Sequence, residues 1–297
     1  MQDDRIVFED YKGSSTEPHK IYSGTKAFWV VAALVAVEEG ILSLDEKISQ
    51  TITEWKDDPQ KKEIRIRQLL DFTDGIEPGS FLHRDGIADR NSLALQIPVV
   101  AVPGTRFLYG PSHLQIFGEL LRRKLAPRGV TPYNYLSAKV LTPLGLAHVE
   151  HKVDALGHPL LATGFKLTAR QWARMGSLIL HHGSYHDHVI VPAALLEQCF
   201  QPGKANPSFG MGFWLNREAG HSFARDPDIE NLLELKWDRP NWSRVCVART
   251  APADMVVSLG SGYQRLYVIP SLDLIIVRQG LDAKFSDPEF LRLILQQ

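Results

Sequence analysis

The feature that most constrains this chain is a run from Ala27 to Val37 without one polar residue, entered directly behind Ser23-Gly-Thr-Lys26. At about half of the ~20 residues that span a bilayer, the run reads as a helix inside a protein core. A helix that is apolar on every face has no solvent side and must be wrapped by other elements. Its expected end is Glu39, with Gly40 supplying the left-handed residue that closes helices.

The first turn of this helix carries Ser23 and Lys26. Residues three apart share a helix face, with Cβ atoms roughly 5–6 Å apart. Burial disfavours the ammonium form, and so does the positive end of the helix dipole. Both raise the share of neutral amine, which can take a proton from a hydroxyl. Backbone N–H groups at the same helix start would face a developing oxyanion. One short segment thus offers nucleophile, base and part of an oxyanion hole. At this point the plain alternative stays open: Ser23 as an ordinary N-cap, with Lys26 reaching out to solvent.

The chain has 297 residues, 44 % of them apolar, enough to bury a full core as one large domain or two intertwined lobes. A net charge of −1 implies no basic face, so nucleic acid is not expected as a partner. Cys199 and Cys246 are too few for a disulfide framework and are expected as small buried residues. The N-terminus has neither the charged nor the apolar region of a signal peptide, and no run is long enough for a membrane span. As written, the chain reads as soluble and without an address.

Arg5–Lys12 is expected as a strand, rich in β-branched and aromatic residues. A short helix around Lys47 follows, then helices over 66–72, 112–125, 133–141 and 168–182, and one within 189–200, with Thr168 as N-cap. After about residue 205 the text turns to Val, Ile and Tyr. Strands are expected over 244–249, 255–258, 265–269 and 274–278 as an antiparallel meander. Asp287-Pro288 opens a last helix, with Asp287 as its cap. The fold class is α+β: an antiparallel sheet flanked by helices, with a large helical insert. Residues 1–40 and 200–297 form one lobe, residues 41–199 a mainly helical lobe, and the active site lies between them.

Several stretches together resemble the serine β-lactamase and penicillin-binding protein superfamily. They are Arg5-Ile-Val-Phe-Glu, Ser23-Gly-Thr-Lys26, the 37–45 helix end, Ile66 to Gly75, Pro103-Gly-Thr-Arg-Phe-Leu-Tyr109, Leu141-Thr-Pro-Leu-Gly-Leu146 and Tyr267-Val-Ile-Pro270. Class C β-lactamases, family VIII carboxylesterases and aminohexanoate-dimer hydrolases are the nearest members. The resemblance implies a β-lactamase/transpeptidase-like fold and an S-x-x-K pair at Ser23 and Lys26. It implies that Tyr109, the tyrosine of a Y-x-N motif, helps Lys26 move protons. The third motif, a K-T-G-like strand, has its best match in Ser258-Leu-Gly260 before Ser261, whose backbone would give a second oxyanion donor. It implies no cofactor and no metal, and a small ester or amide as the binding partner.

Three departures qualify this. Pro111 replaces the asparagine of Y-x-N, and Ser112 is the nearest polar side chain to take over its role. The third motif has no lysine, which in the family helps hold a substrate carboxylate. That disfavours β-lactams and favours esters or simple amides. The family also carries a helix and strand ahead of Arg5, so the chain is either a shortened form or lacks an N-terminal portion. If it lacks one, the compartment would be periplasmic or extracellular.

The expected function is a serine hydrolase acting on carboxylic esters through an acyl-enzyme on Ser23, with β-lactam or linear amide hydrolysis as the alternative. A non-catalytic relative of the fold is the competing class. Geometry separates the two: an enzyme needs the Lys26 nitrogen and the Tyr109 oxygen at Ser23 Oγ, and a Lys26 pointing to solvent rules it out. The histidines at 181, 182, 186 and 188 read as a solvated turn rather than a zinc site. Gly260-Ser261-Gly262 reads as a tight hairpin. Trp237 and Trp242 wall an apolar acyl pocket or cover a sheet edge, and Arg106 is expected in a structural ion pair.

Overall fold

The computed structural model describes residues 1–234, 241–280 and 284–295. Helix α1 covers Thr25–Glu38, preceded by a 3₁₀ turn at Tyr22–Gly24. The other helices are α2 Ile66–Leu70, α3 Arg90–Gln96, α4 Ser112–Leu125, α5 Pro132–Leu136, α6 Ala169–Leu180, α7 Ala193–Leu196, α8 Ile229–Glu234 and α9 Asp287–Ile294. The strands are β1 His19–Lys20, β2 Glu150–His151, β3 Phe165–Leu167, β4 Ser184–Tyr185, β5 His188–Val189, β6 Trp214–Leu215, β7 Val256–Gly260, β8 Gln264–Ile269 and β9 Leu274–Arg278. No helix among the described residues is long and apolar enough to cross a membrane.

The main sheet is the antiparallel ladder β6-β7-β8-β9. Strand β8 is buried along its whole length, with α6 and α9 covering it. A second sheet, β1-β3-β2, lies beside the start of α1. As its composition demands, α1 is buried from Thr25 to Ala36. Phe28, Trp29, Val31 and Leu34 are fully removed from solvent. Each such side chain contributes roughly 1.5–3 kcal/mol of hydrophobic stabilisation, which is what fixes this helix and the turn in front of it. Helix α1 ends at Glu38 with Glu39 as its C-cap, and Gly40 takes φ +65. Helix α6 starts on a Thr168 capping box with Gln171.

Several expectations need correction. Arg5–Lys12 is not a strand. Only the first residues add to the sheet, Met1 pairing with Ile275 and Asp3 N–H donating to the Asp273 carbonyl. Beyond that there is no neighbouring strand or core to cover, and Ile6, Val7 and Phe8 stand 49, 62 and 79 % exposed. β-Propensity without a partner does not make a strand. The 244–249 segment is not a strand either. Its backbone makes only one isolated bridge, at Arg225, and past that the Asn216 side chain takes the place of a neighbour, accepting from Val247 and Ala248 N–H at 2.9 and 3.0 Å and donating to the Ala248 carbonyl at 2.9 Å. Helix α9 is capped by Ser286, not Asp287, with Pro288 one position later. Around Lys47 there is a single 3₁₀ turn, Ile48–Gln50. Helix α5 continues into a π turn at Ser137–Leu141.

Candidate active site

Ser23 sits inside the 3₁₀ turn that leads into α1, not at its cap, and no side chain caps that turn. Two contacts hold this turn. A Cβ on Gly24 would meet Trp172 Cζ2 of α6 at 2.4 Å, and a Cβ on Gly260 of β7 would meet the Ile21 carbonyl at 2.1 Å. The chain around the serine is thus clamped between α6 and the end of β7, and only glycine fits at the two pressure points. Tyr22, just before Ser23, takes φ +45. That left-handed backbone costs a non-glycine residue of order 1–3 kcal/mol and is tolerated because the clamp imposes it.

Lys26 points inward. It is 2 % exposed. Its Nζ lies 2.7 Å from Ser23 Oγ, donates to the Ala162 carbonyl at 3.1 Å, and sits 4.8 Å from the centre of the Tyr109 ring. No carboxylate among the described residues forms an ion pair with it. Burial alone lowers its pKa from 10.5 to about 7, so a large share of the amine is neutral at neutral pH. Tyr109 is held by an aromatic cluster, with ring centres 5.3 Å from Phe72, 5.8 Å from Trp214 and 6.1 Å from Phe209. Burial pushes its phenol up to about 12, and the Ser23 hydroxyl beside it pulls weakly the other way. The phenol therefore keeps its proton through the working range.

These side chains open on a cavity of about 800 Å³, lined by Ser23, Lys26, Tyr109 and Ser261 among others. Of the third-motif residues, only Ser261 reaches it. Ser258 is buried behind the serine turn, its Oγ 3.4 Å from the Gly24 carbonyl. Gly260 serves as the clamp on Ile21. The Gly260-Ser261-Gly262 stretch is the β7–β8 hairpin turn, as expected. Glu230 fixes that turn, accepting from Gly262 and Tyr263 N–H at 2.9 and 2.8 Å while pairing with Arg265 at 2.7 Å. Arg265 is anchored in turn by Asp287.

Ser112 does not take over the missing asparagine's place. It is buried, and its hydroxyl donates to the Glu77 carbonyl at 2.7 Å. Trp242 is packed behind Phe107 and Trp214, at 5.3 and 5.5 Å, and does not line the cavity. Trp237 lies outside the described residues. Arg106 forms no ion pair with any described residue. Cys199 and Cys246 are buried. The histidine-rich turn is the β4–β5 hairpin, where His181 pairs with Asp4 at 2.9 Å and His182 with Glu197 at 3.5 Å.

Sequence reasoning missed several cavity residues: His83, Thr163, Glu230, and the charged row Lys20, Glu150, Lys152 and Lys166. His83 Nδ1 is 3.2 Å from Thr163 Oγ1. Burial and the charges of Lys26 and Lys152 hold its pKa below the usual value. The one metal-like grouping among the described residues, Asp89, Asp154 and His158, is spent on its own loops. Asp154 accepts from Arg90, Leu156 and His158 N–H at 2.8, 3.0 and 2.9 Å, and Asp89 caps α3.

A family model described as Beta-lactamase matches residues 1–277. Among curated relatives, Protein flp of Staphylococcus aureus (strain N315) is 28 % identical over 170 residues, which cover 52 % of this chain and 33 % of that protein. The match thus spans about a third of that relative's length. Among solved structures, a candidate 6-aminohexanoate-dimer hydrolase from Bacillus anthracis superposes with a TM-score of 0.70 at 18 % identity, covering 97 % of this chain and 72 % of the other. A family VIII carboxylesterase superposes with a TM-score of 0.64 at 18 % identity, covering 95 % and 83 %. At such identities the structural likeness carries the fold alone.

Proposed function

This chain belongs to the β-lactamase family, and from that premise we propose that it hydrolyses carboxylic esters through a covalent acyl-enzyme on Ser23. What carries this is the Lys26 amine, buried and held 2.7 Å from Ser23 Oγ with no ion pair to any described carboxylate. An uncompensated buried lysine costs stability, and a purely structural role gives no reason to keep one.

Neutral Lys26 takes the Ser23 proton as Oγ attacks the acyl carbon. The oxyanion forms between the N–H of Ser23 and the β7–β8 turn at Ser261, which Glu230 holds rigid. Lys26, now an ammonium, returns the proton to the departing alkoxide, with the Tyr109 phenol in the path. The C–O bond to the alcohol breaks and the acyl group stays on Ser23. Water then attacks the acyl carbon as Lys26 takes its proton, the bond from the acyl carbon to Ser23 Oγ breaks, Lys26 returns the proton to Oγ, and the acid leaves.

Esters are preferred over amides because an alkoxide needs less proton assistance than an amine, and because no third-motif lysine stands on β7 to hold the carboxylate of a β-lactam. The family VIII carboxylesterase among the structural neighbours agrees with that preference. The cavity is lined from residues 1–40 and 200–297 and from residues 41–199, which we take as two interleaved lobes that meet in the β1-β3-β2 wall. Parallel turnover of p-nitrophenyl butyrate and nitrocefin tests the reading. Ester turnover that vanishes in Ser23→Ala supports it. Nitrocefin turnover without ester turnover replaces it with a β-lactamase.

A further inference from the structure

Strand β1 pairs with β3 so that Lys20 stands directly opposite Lys166, and β3 pairs with β2 so that Lys166 stands opposite Glu150. All three side chains line the cavity, as does Lys152 two residues beyond Glu150. Like charges directly opposed across an antiparallel pair are destabilising. Here the opposition is only half relieved. Lys166 is paired with Glu150, and Lys152 with Asp85, a carboxylate that is 90 % exposed. Lys20 has no ion pair with a described residue, although its charge reaches Asp85. The other carboxylate of the cavity, Glu230, is spent on Arg265 and on two turn N–H groups. The β1-β3-β2 wall is therefore left with a surplus of positive charge facing the space in front of Ser23.

We propose that this wall is an anion subsite: the substrate carries a carboxylate, away from the scissile bond, that seats on Lys20 and Lys152 beside Lys166. This deepens the Ser23 hydrolase reading and rests on it. A bound carboxylate removes the Lys20–Lys166 repulsion and needs no rearrangement of the sheet. Because the site is open to solvent, the attraction weakens as salt rises.

The test compares esters that differ only in charge. One pair is mono-p-nitrophenyl adipate against p-nitrophenyl heptanoate, with the carboxylate on the acyl side. The other is 4-carboxyphenyl butyrate against phenyl butyrate, with it on the leaving group. At low ionic strength, one pair at least favours the charged ester in kcat/KM, through KM. Lys20→Gln and Lys152→Gln each lower that ratio roughly three- to tenfold, and added salt lowers it further. Lys20→Gln also holds or raises Tm, since it removes a repulsion; a loss of folding would show as a lower Tm instead. Ratios near one in both pairs, or ratios that neither substitution moves, overturn the proposal. If no ester turns over and a fluorophosphonate leaves Ser23 unlabelled, the hydrolase reading has failed. The anion site is then judged by adipate binding in calorimetry: binding weakened by Lys20→Gln upholds it, and absent or unaffected binding overturns it.

Discussion

Replacing Lys26 with methionine should stabilise the protein at acidic pH while abolishing its activity. The lysine's pKa falls from 10.5 to about 7 through burial. At about 1.4 kcal/mol per pKa unit, that shift corresponds to a cost on the order of 4–5 kcal/mol for holding the charge inside. Lys26 is 2 % exposed, so solvent screening takes little off that figure. The sign follows from proton counts. Below pH 7 both folded and unfolded lysine carry the proton, and the folded state bears the full cost. Between pH 7 and 10.5 the unfolded chain holds a proton that the folded one has released, so wild-type stability climbs with pH. Methionine keeps the length and fills the space but leaves the Ala162 carbonyl without its donor, a loss of about 1–3 kcal/mol. The variant should therefore melt several degrees above the wild type near about pH 6. Between about pH 6 and about pH 9.5 that advantage should shrink by on the order of 3 kcal/mol. Thermal unfolding of both proteins, followed by circular dichroism at the two pH values, measures it. A variant less stable than wild type by the same margin at both values would refute the account of Lys26 as a buried, uncompensated base.

Three further outcomes follow from the same geometry. Tyr109→Phe keeps the aromatic packing but removes the phenol proton, and should lower kcat about 10²- to 10⁴-fold with little change in Tm, read by ester kinetics and thermal melting. Gly24→Ala drives a methyl group into Trp172, which it would meet at 2.4 Å; it should cost about 1–3 kcal/mol in urea unfolding and reduce kcat by displacing Ser23. Arg265→Ala strips a fully buried cation from Asp287 and Glu230, and should cost about 3–5 kcal/mol, seen as a large fall in the urea midpoint.

What was legible in the sequence was local. Helix α1 announced itself by an unbroken apolar run, α4 by its stripe, and α6 by Thr168 as its N-cap. Strands β7 to β9 were legible because each has its partner one short turn away. The pairing of Ser23 with Lys26 needed only helical spacing. What was not legible depends on distant neighbours. The two-residue strands β1 and β2 exist only because β3 lies between them, about 145 residues from β1 and about 15 from β2 along the chain. No propensity signals segments that short, so Lys20 on β1, Lys166 on β3 and Lys152 just past β2 could not be placed together. The Ala162 carbonyl that holds Lys26 is backbone and leaves no mark in the residue type. Arg5–Lys12 and 244–249 failed in the opposite direction. Both have strand-like composition, but one finds no partner beyond its first residues and the other only a single bridge at Arg225 followed by the Asn216 side chain.

The most direct test of the central claim is intact mass after incubation with a fluorophosphonate probe, run on the wild type and on Ser23→Ala. The account predicts one adduct on the wild type, located at Ser23, and none on the variant. A folded wild type that takes no adduct, or an adduct that persists in Ser23→Ala, would contradict it.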